Sequence, residues 1–261
     1  MRRRGRHAFV YVFFGLLTFT SACNTDAKEE HLTTEEAIIA KTIEQAESVE
    51  SYAIEGGILE DFLWEDGSSE YNYLLLSSNK IPELTHSQVV QEYGSGEFET
   101  TVFTSELYQN AKERYINVDD KGWKKSEDPK DIEYDYTEYE APIMFLEQLE
   151  NVDELLVEET EAEYEIRYSE PNETLYDIYE PPSEASKKGT VFVETGSPEV
   201  FLVIDKADYT VREFTTTFFY EDEAGSDSEG TATLELRFDD INEVEDFEIP
   251  DEVIEEAEAN E

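Results

Sequence analysis

The chain has little positive charge and almost no cysteine or histidine, and the shortage of positive charge already excludes one class of partner. Lysine and arginine number 19 against 66 aspartates and glutamates in 261 residues, which gives a formal net charge of −47 at pH 7. A surface of that sign repels the phosphates of nucleic acids and the head groups of anionic lipids. We therefore expect no nucleic-acid partner.

Cysteine and histidine are too few for the sites that these residues usually build. Cys23 is the only cysteine, so no disulfide can form within the chain. The histidines are His7, His31 and His86, and none has a second ligand at the spacing of a transition-metal site. We expect neither a metal site nor another cofactor.

The sequence also lacks a motif for nucleophilic catalysis. No Gly-x-Ser-x-Gly sequence occurs, and its nearest approach, residues 94–97, is typical of a turn between two strands. A serine triad would have to use His86, which we place in a loop. These patterns indicate a protein that is not an enzyme. A hydrolase that works with carboxylates alone stays open as a weaker alternative, because acids are abundant.

The longest apolar run covers only residues 8–20, which is shorter than the roughly 20 residues of a transmembrane helix. It follows four arginines, an order typical of an export signal. Ala22 directly before Cys23 resembles the lipobox of bacterial lipoproteins. That resemblance implies that residues 1–22 are a lipoprotein signal peptide and that Cys23 carries acyl chains such as palmitate. The protein would then be anchored to the cell membrane at its extracytoplasmic face.

Two features of this N-terminal interpretation leave alternatives open. Cleavage at the same bond by ordinary signal peptidase would give a secreted protein with a free thiol. Removing residues 1–22 takes away four arginines and no acidic residue, which leaves 15 lysines and arginines against 66 aspartates and glutamates. Molar salt screens such repulsion within a few ångströms, so we interpret the acidity as halophilic. An alkaliphile surface and specific cation binding are the alternatives.

The mature chain is predicted to begin with a tether and a helix. Residues 23–32 are interpreted as the cysteine whose lipidation the lipobox implies and a tether, because residues 24–32 lack periodicity. Thr33 and Glu36 have the spacing of a capping box and predict a helix over residues 33–51. The apolar side chains on one face of this helix are Ile39, Ile43, Ala46 and Val49.

Two more helices and many strands are predicted further along. Residues 142–150 form the second helix, with Phe145 and Leu149 on one face, and a short acidic helix follows Pro250. The clearest strands alternate apolar and polar residues, with Tyr164 and Ile166 in one and Leu234 and Leu236 in another. Many one-faced strands in succession indicate an antiparallel sheet and an α+β fold.

This order of elements resembles the bacterial LolA/LppX-like lipoprotein superfamily, in particular its uncharacterised lipoproteins of Gram-positive type. The residues that carry the resemblance are 37–52, 115–123, 141–164 and 200–250. It implies that residues 33–261 form one half-barrel domain. Such a domain has a curved antiparallel β-sheet, an incomplete barrel, with helices covering the concave face and a hydrophobic cavity between them.

The resemblance implies that the protein binds a lipid or other hydrophobic ligand in the half-barrel cavity. The candidates for its lining are Ile39, Ile43, Ala46, Val49, Phe145, Leu149, Tyr164, Ile166, Leu234 and Leu236. Ordinary core packing would explain the same positions. The alternative function is an envelope interaction or sensor module that binds a protein partner and carries no lipid. Its docking patch would use exposed tyrosines, namely Tyr134, Tyr136, Tyr139, Tyr176 and Tyr179.

Overall fold

The computed structural model describes residues 34–95, 100–126, 138–149, 155–170, 192–223 and 225–260. These ranges contain three helices, α1 (Thr34–Ala46), α2 (Glu140–Gln148) and α3 (Asp251–Ala259). They also contain twelve strands. The first six are β1 (Tyr52–Leu63), β2 (Ser69–Ile81), β3 (Leu84–Ser95), β4 (Thr101–Asn110), β5 (Arg114–Val118) and β6 (Trp123–Lys125). The other six are β7 (Leu156–Glu159), β8 (Glu163–Tyr168), β9 (Phe192–Glu194), β10 (Glu199–Asp205), β11 (Val211–Asp222) and β12 (Glu229–Asp239).

All twelve strands belong to one antiparallel sheet in the order β6-β5-β4-β3-β2-β1-β12-β11-β10-β8-β7, with β9 paired to β11. The sheet is open, since its outermost strands β6 and β7 are at opposite ends of this order. The central strand β1 connects the N-terminal strands to the C-terminal strands of the sheet. It pairs on one side with β2 and on the other with β12, where Ala53 faces Asp239. The predicted α+β class with an antiparallel, unclosed sheet is confirmed.

Strict alternation gives the sheet two faces, and α1 and α2 cover the one that we call the inner face. On β12 the even-numbered residues from Ala232 to Phe238 are buried, while their neighbours are exposed or half-buried. One apolar cluster combines the inner residues of the sheet with Ile38 and Ile39 of α1 and Phe145 of α2. Each helix is therefore buried through its apolar face, which packs against the apolar face of the sheet. The predicted sheet with helices over one face is confirmed for α1 and α2.

The first helix is shorter than predicted, because local hydrogen bonds end it at Ala46 and not near residue 51. Ser48 donates its hydroxyl to the Gln45 carbonyl at 2.8 Å, and the Val49 amide bonds to the Ala46 carbonyl at 3.1 Å. A serine that bonds to the backbone in this way offers the chain an alternative to further helix.

Two buried tyrosines attach the start of α2 to the sheet. The Tyr139 amide donates to the Tyr52 hydroxyl at 3.2 Å, and the Val211 amide donates to the Tyr139 hydroxyl at 2.9 Å. Burial raises the pKa of Tyr52 and that of Tyr139 to about 12 each. Tyr139 is only 4% exposed, so its prediction as an exposed docking residue is wrong. Its ring packs against that of Phe238, with a centroid distance of 4.9 Å.

The third helix packs on the opposite face, which we call the outer face, beside β5 and β6. Its Val253 and Ala257 form a small apolar cluster with Tyr115 and Trp123. His86, predicted in a loop, lies in β3 in this region, so that prediction is wrong. The His86 ring stacks on Tyr108 at a centroid distance of 4.3 Å, and its Nε2 lies 2.8 Å from Glu106 Oε1. Its neighbours explain why this histidine is in a strand and not in a loop.

Adjacent glycines in the middle of β1 allow a very close approach of the neighbouring strands. A Cβ atom on Gly56 would overlap the Glu235 carbonyl oxygen, and one on Gly57 would overlap the Leu74 carbonyl oxygen. Glycine inside a strand is typical of a sharp bend or of close backbone contact. These two residues therefore permit the bending of the sheet at its central strand.

Several predictions fall on parts of the chain outside the described residues. They are the signal peptide, Cys23 and the tether, the Thr33 cap, and Tyr134, Tyr136, Tyr176 and Tyr179. Among the helices of the described ranges, none is long and apolar enough to cross a membrane.

Candidate functional site

The ten residues predicted to line a cavity all lie together in the apolar cluster on the inner face. Half of them are buried, namely Ile39, Phe145, Ile166, Leu234 and Leu236. The other half are partly buried and pack against the same cluster, namely Ile43, Ala46, Val49, Leu149 and Tyr164. Their role as the lining of a ligand cavity stays a prediction.

The register of the strands aligns this cluster in rows across the inner face. Ile166 faces Leu202, Leu202 faces Phe214, and Phe214 faces Leu236 on successive strands. The Phe145 ring of α2 lies above this row, with its centroid 6.2 Å from that of Phe214. The floor under α2 is therefore a continuous apolar surface made by four strands.

The next row contains a polar residue that the strand pattern did not identify as part of a site. Thr216 of β11 lies between Val200 and Leu234 and is 2% exposed. Within the described part of the chain, its Oγ1 atom has no hydrogen-bond partner. Burying a hydroxyl without a partner costs free energy, so this atom requires an explanation.

A second buried polar atom lies at the end of the helix that covers this face. Gln148 is the last residue of α2, and its Oε1 atom is buried without a hydrogen-bond partner among the described residues. It follows Phe145 by three positions, so the two side chains lie on neighbouring parts of the same helix face. The inner face and the helix that covers part of it thus each contain a buried polar atom that no described residue satisfies.

Beyond the apolar rows, the inner face becomes polar. Glu60 of β1 is 3% exposed, and its Oε2 atom accepts a hydrogen bond of 2.8 Å from the Asn72 side-chain amide. The Gln91 side-chain amide donates in turn to Asn72 Oδ1 at 3.0 Å. Glu60 faces Ala232, one row beyond Ile58 and Leu234. The inner face therefore has an apolar part and an adjoining buried polar part.

The charged groups in the described ranges do not form a metal centre. No group of three or more His, Cys, Asp or Glu side chains there is arranged to hold a metal ion. The acidic hairpin between β11 and β12 instead forms hydrogen bonds within itself. The Ser226 amide donates to Asp222 Oδ2 at 3.3 Å, and the Asp222 amide donates to the Ser228 carbonyl at 3.2 Å.

Comparisons with known proteins place the described domain within one family. The model of a family described as "Family of unknown function (DUF6612)" matches residues 34–258. Among solved structures, the chain is similar to a DUF1329 family protein from Desulfovibrio piger, with 9% sequence identity and a TM-score of 0.27. That match covers 78% of this chain and 92% of the other. No curated protein matches the chain.

Proposed function

Because the chain belongs to DUF6612, a family of unknown function, we propose its function from its own residues. It is a membrane-anchored extracytoplasmic lipoprotein that binds a lipid or similar amphiphile between α1, α2 and the inner face of the sheet. The anchor is the lipid on Cys23, and the protein binds its ligand without catalysing a reaction.

The observation that carries the proposal is the buried Thr216 hydroxyl, which lacks a described partner among the apolar residues of the inner face. A well-packed core normally satisfies such a group or omits it. A ligand whose polar group enters the interface would accept the hydroxyl's hydrogen bond. The side-chain carbonyl of Gln148 would receive one from a hydroxyl or amine of the same ligand.

The change from apolar to polar along the inner face supports an amphiphile over a pure hydrocarbon. An acyl chain in the apolar rows would gain about 0.8 kcal/mol for each buried CH₂ group. A head group would then lie toward Asn72 and Gln91, whose amides already form a hydrogen-bonded chain with Glu60.

Access to the interface would require movement of α2. Its first turn is fixed by the hydrogen bonds of Tyr139, whereas its last residue, Gln148, is followed by an extended backbone at Leu149. Phe145 and Leu146 in its last turn are also buried, so opening would have to withdraw both side chains from the apolar cluster. Leu149 and Tyr164, which are only partly buried, lie at the margin of the cluster.

The test of the ligand is native mass spectrometry of the exported protein carrying Cys23→Ser, purified in high salt without detergent. We expect a bound mass that organic solvent removes and that matches a lipid of the host membrane. After stripping, the same lipid should bind again with one-to-one stoichiometry. A clean apoprotein that takes up no lipid on incubation would contradict the proposal.

The anchor has a separate test that does not depend on the ligand. Trypsin cleavage after Lys28 releases a peptide that begins at Cys23 if the signal peptide is removed there. We expect this peptide to carry a diacylglycerol and the protein to sediment with membranes, while Cys23→Ser moves it to the soluble fraction. A free thiol on the mature N-terminus would show that the protein is secreted without an anchor.

A further inference from the structure

The outer face of the sheet exposes apolar side chains where the helices leave it uncovered. Leu59, Tyr73, Leu75 and Val90 are 36–42% exposed. They are neighbours across three strands, since Leu59 faces Tyr73 and Leu75 faces Val90. Together they border a depression of about 660 Å³. Its floor is low because Gly57, which faces Leu75, contributes no side chain.

A second depression of about 460 Å³ continues this surface toward β11. Its apolar lining includes Leu63, which is 43% exposed, and Phe219, the register partner of Thr231. We call the surface from Val90 through Leu75, Leu59 and Leu63 to Phe219 the apolar stripe. Its apolar side chains lie on β3, β2, β1 and β11, while β12 contributes Thr231 and Thr233 between β1 and β11. The five strands give a width of roughly 19 Å at the usual strand spacing.

Carboxylates border the apolar stripe along its length. Glu55, Glu92 and Glu235 line the first depression, and Asp61, Glu221 and Glu229 line the second. Neither Glu55 nor Glu235 forms an ion pair with another residue of the described ranges. Arg237 is the register partner of Glu55, and its side chain bonds to Asp239 at 3.1 Å. The six carboxylates of the border are only partly offset by Arg237, so the border carries a net negative charge.

We propose that the apolar stripe binds a segment of a partner protein in which apolar side chains alternate with lysine or arginine. Apolar side chains grouped on a surface and rimmed by polar residues are typical of protein interaction sites. The acidic border selects a basic partner and accelerates its association. At about 3.3 Å per residue, the stripe matches an extended segment of roughly six residues.

The charge of the chain argues against the other occupants of such a surface. A second copy would bring a net charge of −47 against an equal charge, and an anionic lipid head group would meet the same repulsion. The depressions are also broad and open to solvent, whereas a small-molecule site normally encloses most of its ligand. A basic segment of another protein satisfies both the apolar floor and the acidic border.

The inference is independent of the inner-face ligand, because the apolar stripe and the α2 interface lie on opposite faces of the sheet. Its test uses three synthetic peptides of equal length with alternating Lys-Leu, Lys-Ser and Glu-Leu sequences. Binding to the exported protein is measured by isothermal titration calorimetry at about 0.15 M salt, where surface charges are screened beyond ~8 Å. We expect the Lys-Leu peptide to bind at least about tenfold more tightly than either of the others, since only it supplies both complementary features.

Variants locate the binding and provide matched controls. We expect Leu59→Ser with Leu75→Ser, and separately Glu55→Gln with Glu235→Gln, to weaken the Lys-Leu peptide by about tenfold. Leu156→Ser and Glu158→Gln change exposed residues of β7 on the same face, outside the stripe, and should leave the affinity unchanged. Since all of these side chains are exposed, the variants should keep the melting temperature of the parent protein.

Three results would overturn the inference. Equal binding of Lys-Ser and Lys-Leu would show attraction by net charge alone. Equal losses in the β7 variants and the stripe variants would show binding without a defined site. Salt-dependent dimerisation that Leu59→Ser with Leu75→Ser abolishes, in a protein that binds none of the peptides, would show that the stripe is an interface between copies of this chain. Lipid binding on the inner face would be unaffected in each case.

Discussion

Replacing Thr216 with valine separates a ligand-binding hydroxyl from an accident of packing. Valine has nearly the same shape and the same preference for strands, so the substitution removes one oxygen and leaves the row between Val200 and Leu234 filled. The hydroxyl is buried and has no partner in the described part of the chain. An unsatisfied buried polar group costs about 1–3 kcal/mol, so the lipid-free protein should gain on the order of 1 kcal/mol of unfolding free energy.

The same substitution should also weaken the binding of the ligand. One hydrogen bond contributes about 0.5–1.5 kcal/mol, so the affinity for the copurified lipid should fall by roughly threefold to tenfold. Urea unfolding of the stripped protein measures the first effect, and titration with the lipid measures the second. A variant that becomes more stable and binds less tightly is the signature of a group kept for binding at the expense of stability.

Thr42→Val is the matched control. Thr42 is fully buried in α1, but its hydroxyl donates to the Ile38 carbonyl at 3.0 Å. Its replacement removes a satisfied hydrogen bond and should leave stability unchanged or lower it by about 1 kcal/mol, with lipid affinity unaffected. If Thr216→Val destabilises the protein as much as Thr42→Val, the hydroxyl has a partner in solution. If it stabilises without changing lipid affinity, the hydroxyl does not contact the ligand, and either result refutes the reasoning.

Three further predictions concern pH, the glycines and salt. The raised pKa of Tyr52 and that of Tyr139 keep both rings protonated in the folded state after the unfolded chain has ionised. Stability should therefore be complete below pH ~10 and fall between about pH 10 and 12, by on the order of 2 kcal/mol for each ring. Urea unfolding at several pH values in this range measures the loss of stability. The prediction is contradicted if Tyr139→Phe, which lacks one of the two phenols, loses as much stability between about pH 10 and 12 as the parent protein does. Gly57→Ala meets the Leu74 backbone, whereas Gly94→Ala meets only the movable Tyr71 ring, so thermal melts should show a loss at least about 2 kcal/mol larger for Gly57→Ala. Sodium chloride should raise the melting temperature mostly below about 0.5 M, where screening acts; a gain that is purely linear into molar salt would assign the effect to burial of apolar surface instead.

Alternation in the sequence was sufficient for the faces of the clearest strands, β8 and β12, but not for the full length of β1. The positions of Ile166, Leu234 and Leu236 follow from a period of two, and the cluster that contains them could be assembled without knowing which strands pair. The three-residue strands β6 and β9 could not be predicted, because three residues carry no measurable period. His86 was misplaced because its position in β3 is accompanied by a contact that the sequence does not show, the stacking of its ring on Tyr108.

The polar members of the candidate site were hidden for different reasons. Thr216 is a good strand former, so it fits the pattern of β11 and shows nothing unusual until its neighbours are known. Glu60 is one of 66 acids, and only the structure distinguishes a carboxylate at 3% exposure from those in solvent. The acidic border of the apolar stripe was equally hidden, because it depends on which strands lie side by side.

The position of β1 at the centre of the sheet determines how the protein can fold. Strands β1 to β6 form neighbouring hairpins, so this half can pair soon after it is available. The other edge of β1 must wait for β12, whose Phe238 faces Ile54 and is among the last residues of the domain. Until then β1 is an unpaired edge with a row of free amide and carbonyl groups, which is a template for aggregation. If the chain is exported through a pore with its N-terminus first, this edge stays unpaired until the remaining strands have been delivered. We therefore expect chaperones that bind extended chains to act on the segment around β1.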